Sequence, residues 1–268
     1  MSEIACPACD ASAHAVWGVR GGRALARCRG CGLVYVNRIP DGAHLEDDVS
    51  ASVVYTDDQL AKRPFFRRRA HELLADIETR QTGPGRLLDV GCGIGTELTV
   101  AGERGWRATG IELATESLRV ARESGLDVVA KPIAEAGFAD ACFDLVTVNH
   151  ALEHIPRVRE ALGEMRRVLR PQGLLFVAVP NLVAWPHRVG LDRFALAFNP
   201  DHYLFFTRDT LGRLLTRAGF TVLELETPRW IDFQRGPVED YAAPFRAVNG
   251  MVERLGMGLE IFALAQAA

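Results

Sequence analysis

Four cysteines stand at metal-ligand spacing in two short stretches, CPACD with Cys6 and Cys9 and CRGCG with Cys28 and Cys31. Four thiolates from two tight turns can enclose one tetrahedral Zn(II). The spacing Cys-x-x-Cys, eighteen residues, Cys-x-x-Cys lies within the range of structural zinc ribbons. Asp10 and Gly32 follow the second cysteine of each pair, and both tolerate the left-handed turn that such a knuckle needs. Rubredoxin-type iron, or a fold without metal, is the alternative the ligand set admits. With four protein ligands no coordination position stays open, so the expected metal is structural. A redox Cys-x-x-Cys normally sits at a helix start in a βαβ unit, which argues against that use. Cys92 and Cys142 fall outside the set and read as small packing residues.

A second constellation is LLDVGCGIGTE, residues 87–97. An apolar strand ends at Asp89 and Val90, glycines follow at Gly91, Gly93 and Gly95, and a helical stretch begins. Glycines there let the backbone turn sharply and bring its N–H groups to a ligand beside the positive end of the next helix. Position 96 is Thr, so the dinucleotide fingerprint Gly-x-Gly-x-x-Gly is not met, and no Gly-Lys-Ser/Thr follows to make a Walker loop. The next strand, ATGIEL, ends at Glu112, where a carboxylate can accept from both hydroxyls of a ribose.

Such residues need a frame. From GPGR at 83–86 onward, apolar runs alternate with helical stretches: RLLDVG, WRATGIEL, LDVVA, FDLVTVNH and GLLFVAVPN, then FTVLELET and GLEIFALAQ. That alternation predicts a mostly parallel sheet covered on both faces. In 157–169, Val158, Ala161, Leu162, Met165, Val168 and Leu169 form one apolar stripe of core, and Pro171 with Gly173 should end that helix. Thr207 is the expected N-cap of TRDTLGRLLTRAG, with Gly219 as its stop. Residues 1–40 are too few to build their own core and need a staple. Residues 41–58 carry Asp41, Glu46, Asp47, Asp48, Asp57 and Asp58 with no basic residue and read as an exposed connector. An amphipathic helix is expected over about 60–79. The predicted organisation is therefore a ribbon module at 1–40, a connector and lead-in helix at 41–82, and the main domain at 83–268.

Asp89, the GCGIG loop and Glu112 together resemble the cofactor site of class I methyltransferases that use S-adenosylmethionine and release S-adenosylhomocysteine. FADACFDLVTVNHALEHIP, VLRPQGLLFVAVPN and DHYLFFTRDTLGRLLTRAGF extend the resemblance. CRGCGLVYVN is similar to the N-terminal segment of a subset that includes sugar C-methyltransferases and other natural-product enzymes. The resemblance implies an α/β, Rossmann-like, seven-stranded sheet, mostly parallel with its last strand antiparallel, behind a small N-terminal zinc ribbon. It implies that Asp89 and the backbone of Gly91, Cys92, Gly93 and Gly95 surround the methionine part, with Glu112 on the ribose and Leu113 against adenine. No Asp stands near Pro132, so backbone groups of Ile133 and Ala134, or the Glu135 side chain, would take the adenine amino group. Asn149 and His150 would face the sulfonium end. His154 and His202 are the candidate bases at the mouth, with loop fixation as the other reading of His154. Residues 181–206, with Trp185, His187, Arg188, Arg193, Phe194 and Phe198, read as an acceptor lid, or else as a dimer contact or core cover.

The formal charge of −3 and pI near 6.2 supply no global basic field, which argues against a nucleic-acid partner. A small-molecule acceptor is the expected substrate. Ribosomal-RNA base methylation is the alternative, although the zinc modules of guanine methyltransferases resembling this chain use a His in the second pair. No apolar run reaches the roughly 20 residues of a membrane span, and the start lacks a secretory design, so a cytoplasmic protein is expected. The sequence does not fix the oligomeric state.

Overall fold

In the computed structural model, residues 3–20, 22–38, 49–81, 83–184, 199, 201–227 and 254–267 are described. The chain opens with β1 (His14–Arg20), β2 (Arg23–Cys28) and β3 (Val34–Val36), then α1 (Val49–Ala61) and α2 (Arg63–Arg80). The α/β body follows: β4 (Arg86–Val90), α3 (Thr96–Glu103), β5 (Arg107–Ile111), α4 (Thr115–Glu123), β6 (Val128–Val129), β7 (Phe143–Asn149), α5 (Val158–Val168) and β8 (Leu169–Pro180). It ends with β9 (Leu204–Phe205), α6 (Arg208–Arg217), β10 (Phe220–Glu226) and β11 (Glu260–Ala267).

The main sheet has seven strands in the order β10-β11-β8-β7-β4-β5-β6. β4, β5, β6, β7 and β8 run parallel, and β11 is antiparallel to both β8 and β10. This is the expected mostly parallel sheet with its last strand reversed. The order of the sheet turns back between β4 and β7, and a parallel sheet binds ligands at the carboxyl ends of strands beside such a switch. One face is covered by Ala70, Leu74 and Ile77 of α2 with Leu98, Val100 and Ala101 of α3. The other is covered by the predicted α5 stripe, whose Val158, Leu162, Met165 and Val168 are fully buried. Each such aliphatic side chain contributes about 1.5–3 kcal/mol relative to exposure. α6 begins as expected at Thr207, whose side chain accepts from the Thr210 N–H in a capping box.

Two features depart from the sequence reading. The acidic stretch is not all connector, because residues 49–58 belong to α1, where buried Thr56 pairs with Ser117 of α4 at 2.7 Å. Asp57 and Asp58 keep to its exposed face, so the charge pattern reported one side of a helix. The acidic residues at 41 and 46–48 lie outside the described residues. The N-terminal module also does not stand apart. Its sheet, β1-β2-β3-β9, takes its fourth strand from residues just before α6, and Cys6, Cys28, Cys31, Leu33 and Tyr35 share one core with β4, β7 and α5. A module too short for its own core thus borrows the body's.

Candidate cofactor cradle and cysteine cage

The glycine loop leaves β4 with its backbone in the left-handed region at Gly91 (φ +81°) and Gly93 (φ +55°). A Cβ on Gly91 would lie 2.4 Å from the Ala151 Cβ, and one on Gly93 would lie 2.4 Å from the Gln59 side-chain oxygen. The loop is tied to the tip of β5: Gly91 and Cys92 donate to the Ile111 carbonyl at 2.8 and 3.0 Å. Glu112, 8% exposed, completes that tie by accepting from the N–H groups of Gly93 (2.7 Å), Leu113 (2.8 Å) and Ala114 (2.7 Å). Three of a carboxylate's roughly four acceptor positions are thus filled by backbone, which fixes the side chain and leaves room for one further donor. The Cys92 thiol is buried, which pushes its pKa well up, so it packs against β5 and is no nucleophile.

Asp89 is 3% exposed and accepts from the Thr147 hydroxyl of β7 at 3.0 Å. Beside it stands Glu97, from the first turn of α3, which accepts from Asn149 Nδ2 at 2.5 Å and has no partner on Oε1 among the described residues. Burial raises the pKa of Asp89, Glu97 and Glu112, and for Asp89 the charges of Glu97 and Glu112 add to it. Arg69 is the cation whose charge offsets part of that shift at Glu97. Above the loop, Gln59 of α1 accepts from Ile94 N–H at 2.9 Å and shares a side-chain hydrogen bond with Tyr55. Glu97, Tyr55 and Gln59 were not among the residues expected from the sequence. Glu97 could have been found as the acidic residue in the first turn after the glycines, whereas α1 was hidden inside an apparent linker.

Asn149 is tied to the cradle through Glu97, and His150 joins a neighbouring network of buried charges. Its backbone is left-handed (φ +51°), and its ring is engaged by Glu260 of β11 at 2.5 Å and by Glu153 at 3.6 Å. The ring is thus held between the Glu260 and Glu153 carboxylates, and Glu153 also faces His202. Arg69 closes the network on Glu260 at 3.1 Å. Burial opposes the charged ring, yet Glu260 and Glu153 outweigh it and His150 is pushed up to about 9. For Glu260, burial is likewise outweighed by Arg69 and His150, which bring it down to about 2.

His154 Nδ1 lies 3.1 Å from the Asp201 carbonyl, a contact that needs Nδ1–H and leaves Nε2 as the acceptor. Its ring meets His202 edge to face, with centroids 4.7 Å apart, and His202 Nε2 is 3.8 Å from Glu153 Oε1. The His154 ring thus makes the loop-fixing contact to the segment at 201–203. Leu113 is half-buried, Ile133 is buried at a 3-10 turn over Ile133–Glu135, and Ala134 and Glu135 are exposed there. Of the expected lid, residues 185–198, including Trp185, His187, Arg188, Arg193, Phe194 and Phe198, lie outside the described residues.

At the N-terminal end the ligand atoms of Cys6, Cys9, Cys28 and Cys31 all lie within 4.8 Å of one another, and none is in a disulfide. Cys6 and Cys31 are 3.6 Å apart, and Cys9 and Cys28 are 3.5 Å apart. Four sulfurs about 2.3 Å from a tetrahedral centre would be separated by about 3.8 Å, so the cage has the size of a thiolate metal site. Gly30 and Cys31 point their N–H groups at the Cys28 sulfur at 3.3 and 3.4 Å. Arg159 of α5 braces the first knuckle by pairing with Asp10 and donating to the Pro7 carbonyl at 3.2 Å.

A seven-stranded α/β sheet with a glycine-lined, carboxylate-rich cradle at its switch point defines the general class. The chain belongs to the methyltransferase domain family, which matches residues 62–225. It is 39% identical over 103 residues to a ubiquinone biosynthesis O-methyltransferase of Idiomarina loihiensis, covering 36% of this chain and 42% of that protein. It is 26% identical over 171 residues to the C-methyltransferase NovU of Streptomyces niveus, covering 60% of this chain and 38% of that protein. The chain thus spans less than half the length of these two relatives. A SAM dependent methyltransferase from Archaeoglobus fulgidus shares the fold, with a TM-score of 0.58 at 20% identity over 76% of this chain and 94% of that one.

Proposed function

We propose that this chain transfers a methyl group from S-adenosylmethionine to oxygen or carbon of a small-molecule acceptor, a sugar-like or natural-product intermediate. The observation that carries the reading is the trio of carboxylates around the loop at 91–95, Asp89 and Glu112 buried and Glu97 half-buried with its Oε1 enclosed. Buried acids that lack full compensation favour a cationic ligand. S-adenosylmethionine brings a sulfonium and an ammonium together with the ribose that Glu112 suits. When bound it supplies an activated methyl group on an excellent leaving group, so positioning provides much of the acceleration.

In this reading Glu112 holds the ribose with its remaining acceptor position, and Leu113 flanks the adenine. Backbone groups of Ile133 and Ala134 meet the adenine amino group. Asp89 and Glu97 hold the cationic end, with Asn149 orienting Glu97 and the glycine backbone permitting close approach. His202 or the Nε2 of His154 takes a proton from the acceptor where the acceptor retains one. The four cysteines hold Zn(II), which stabilises a module that has no full core of its own. The relatives named above support acceptors at oxygen and carbon. The net charge of −3 gives the ribosomal-RNA alternative less support, and a cytoplasmic setting is part of the same proposal. Among the described residues no helix is long and apolar enough to cross a membrane.

Calorimetric titration with S-adenosylmethionine, alongside metal analysis of the purified chain, tests both halves. Saturable binding and one zinc per chain are expected. Absence of saturable binding sinks the enzyme reading, and a folded, metal-free chain sinks the zinc reading.

A further inference from the structure

His202 is brought to the site by β9, and among the described residues β9 pairs only with β3 of the cysteine module. Val34 faces Phe205 and Tyr35 faces Leu204 in that ladder, and Val36 N–H donates to the Tyr203 carbonyl at 2.9 Å. Arg23, at the start of β2, donates to the His202 carbonyl itself at 3.0 Å and stacks its guanidinium 4.7 Å from the Tyr203 ring. A planar cation that both stacks and donates fixes position as well as contact. From its other side the same segment is held by Tyr203 N–H on the Glu153 carbonyl at 2.9 Å and by His154 on the Asp201 carbonyl. β3 leaves the second knuckle directly, Cys28 N–H donating to the Leu33 carbonyl at 2.9 Å. Leu25, Val34 and Val36 pack with Leu182 and Phe205, so module and His202 segment share a small apolar cluster.

We propose that the cysteine module positions His202 at the acceptor mouth, with Arg23 as the positioning residue and metal in the cage as the condition for it. The inference rests on the zinc reading of Cys6, Cys9, Cys28 and Cys31 and adds a consequence to it. A metal at the cage locks the Cys28–Cys31 turn, the turn sets β3, and β3 with Arg23 sets the backbone from His202 to Phe205. The module then serves the site without contributing a reacting atom.

The test uses the full chain, with zinc quantified before and after a chelator. Amide hydrogen exchange at Val36 and at Leu204 and Phe205 of β9 is expected to rise about tenfold or more on metal removal, while β7 and β8 stay protected. A chain that folds without zinc defeats the cage reading. A chain that loses its zinc and keeps full protection at Val36, Leu204 and Phe205 overturns the positioning proposal alone. Because stripped protein can unfold the whole module, Arg23→Ala supplies a second arm with all four cysteines intact. This variant is expected to retain zinc and to shift the His202 imidazole NMR signals. The half-buried His71 on α2, near Glu103, should stay unmoved, and Arg23→Lys should restore part of the shift. An unchanged His202 signal in zinc-loaded Arg23→Ala overturns the proposal.

Discussion

Gln59, on a helix that precedes the first parallel strand, accepts a 2.9 Å hydrogen bond from the backbone N–H of Ile94 inside the glycine loop. The contact joins α1 to the cradle and places a polar side chain over Gly93, where only a residue without Cβ leaves space. α1 is therefore part of the site's wall.

Gln59→Ala leaves the Ile94 N–H without its partner, and a partly buried donor left unpaired costs about 1 kcal/mol. The expected outcome is a small fall in melting temperature together with about fivefold weaker S-adenosylmethionine binding if that loss is expressed in affinity. Calorimetry on the variant measures both, and unchanged affinity would separate α1 from the cradle.

Asp89, Glu97 and Glu112 all hold protons more tightly than ordinary carboxylates, chiefly because they are buried. Binding of a cationic ligand needs them ionised, so affinity for S-adenosylmethionine is expected to fall as pH drops through their raised range. The neutral sulfur of S-adenosylhomocysteine should make its binding less sensitive. Without ligand the sign is the reverse for stability: the contribution of these groups is full below about pH 4, the unfolded value, and is lost as pH rises through the folded one. Titrations of both ligands from pH 5 to 8, repeated on Glu97→Gln, check this, and parallel profiles for the two ligands would refute it.

The pair between His150 and Glu260 sets a stability window. Glu260, at about 2, stabilises the fold above the ordinary carboxylate value of 4.5 and loses that contribution as pH falls toward 2. His150, at about 9, contributes fully below its ordinary 6.5 and loses the contribution as pH rises through 9. The pair therefore contributes most between pH 4.5 and 6.5. Denaturant titrations across pH should show a decline on the alkaline side that disappears in His150→Gln. Glu260→Gln, which removes the carboxylate shared by Arg69 and His150 and leaves them only Glu97 and Glu153, should cost about 3 kcal/mol. An alkaline limb that survives in His150→Gln would assign it elsewhere.

The sheet was legible because buried parallel strands read as apolar runs and the helices between them carry stripes at helical spacing, as in α5. Cys6, Cys9, Cys28 and Cys31, the glycine loop and Glu112 were legible because turns and ligand cages depend on local spacing. What stayed hidden depends on contacts distant in sequence. His150 and Glu260 are 110 residues apart, and nothing near either one announces the other. The left-handed backbone at His150 is equally silent in the sequence. Asp57 and Asp58 made α1 look like linker, since its buried Thr56 is a weak apolar signal. β9 is two residues long and, among the described residues, pairs with β3 alone.

That short ladder also fixes where recombination can cut this protein. A crossover placed after the cysteine module would divide one sheet between two parents, uncovering Phe205 and Leu182 on one fragment and Val34 and Val36 on the other. The heritable unit at this end of the chain is discontinuous, made of the N-terminal module and the residues around β9. A chimera that exchanges the two together keeps a sealed seam, and one that exchanges the first alone begins with a mismatched edge.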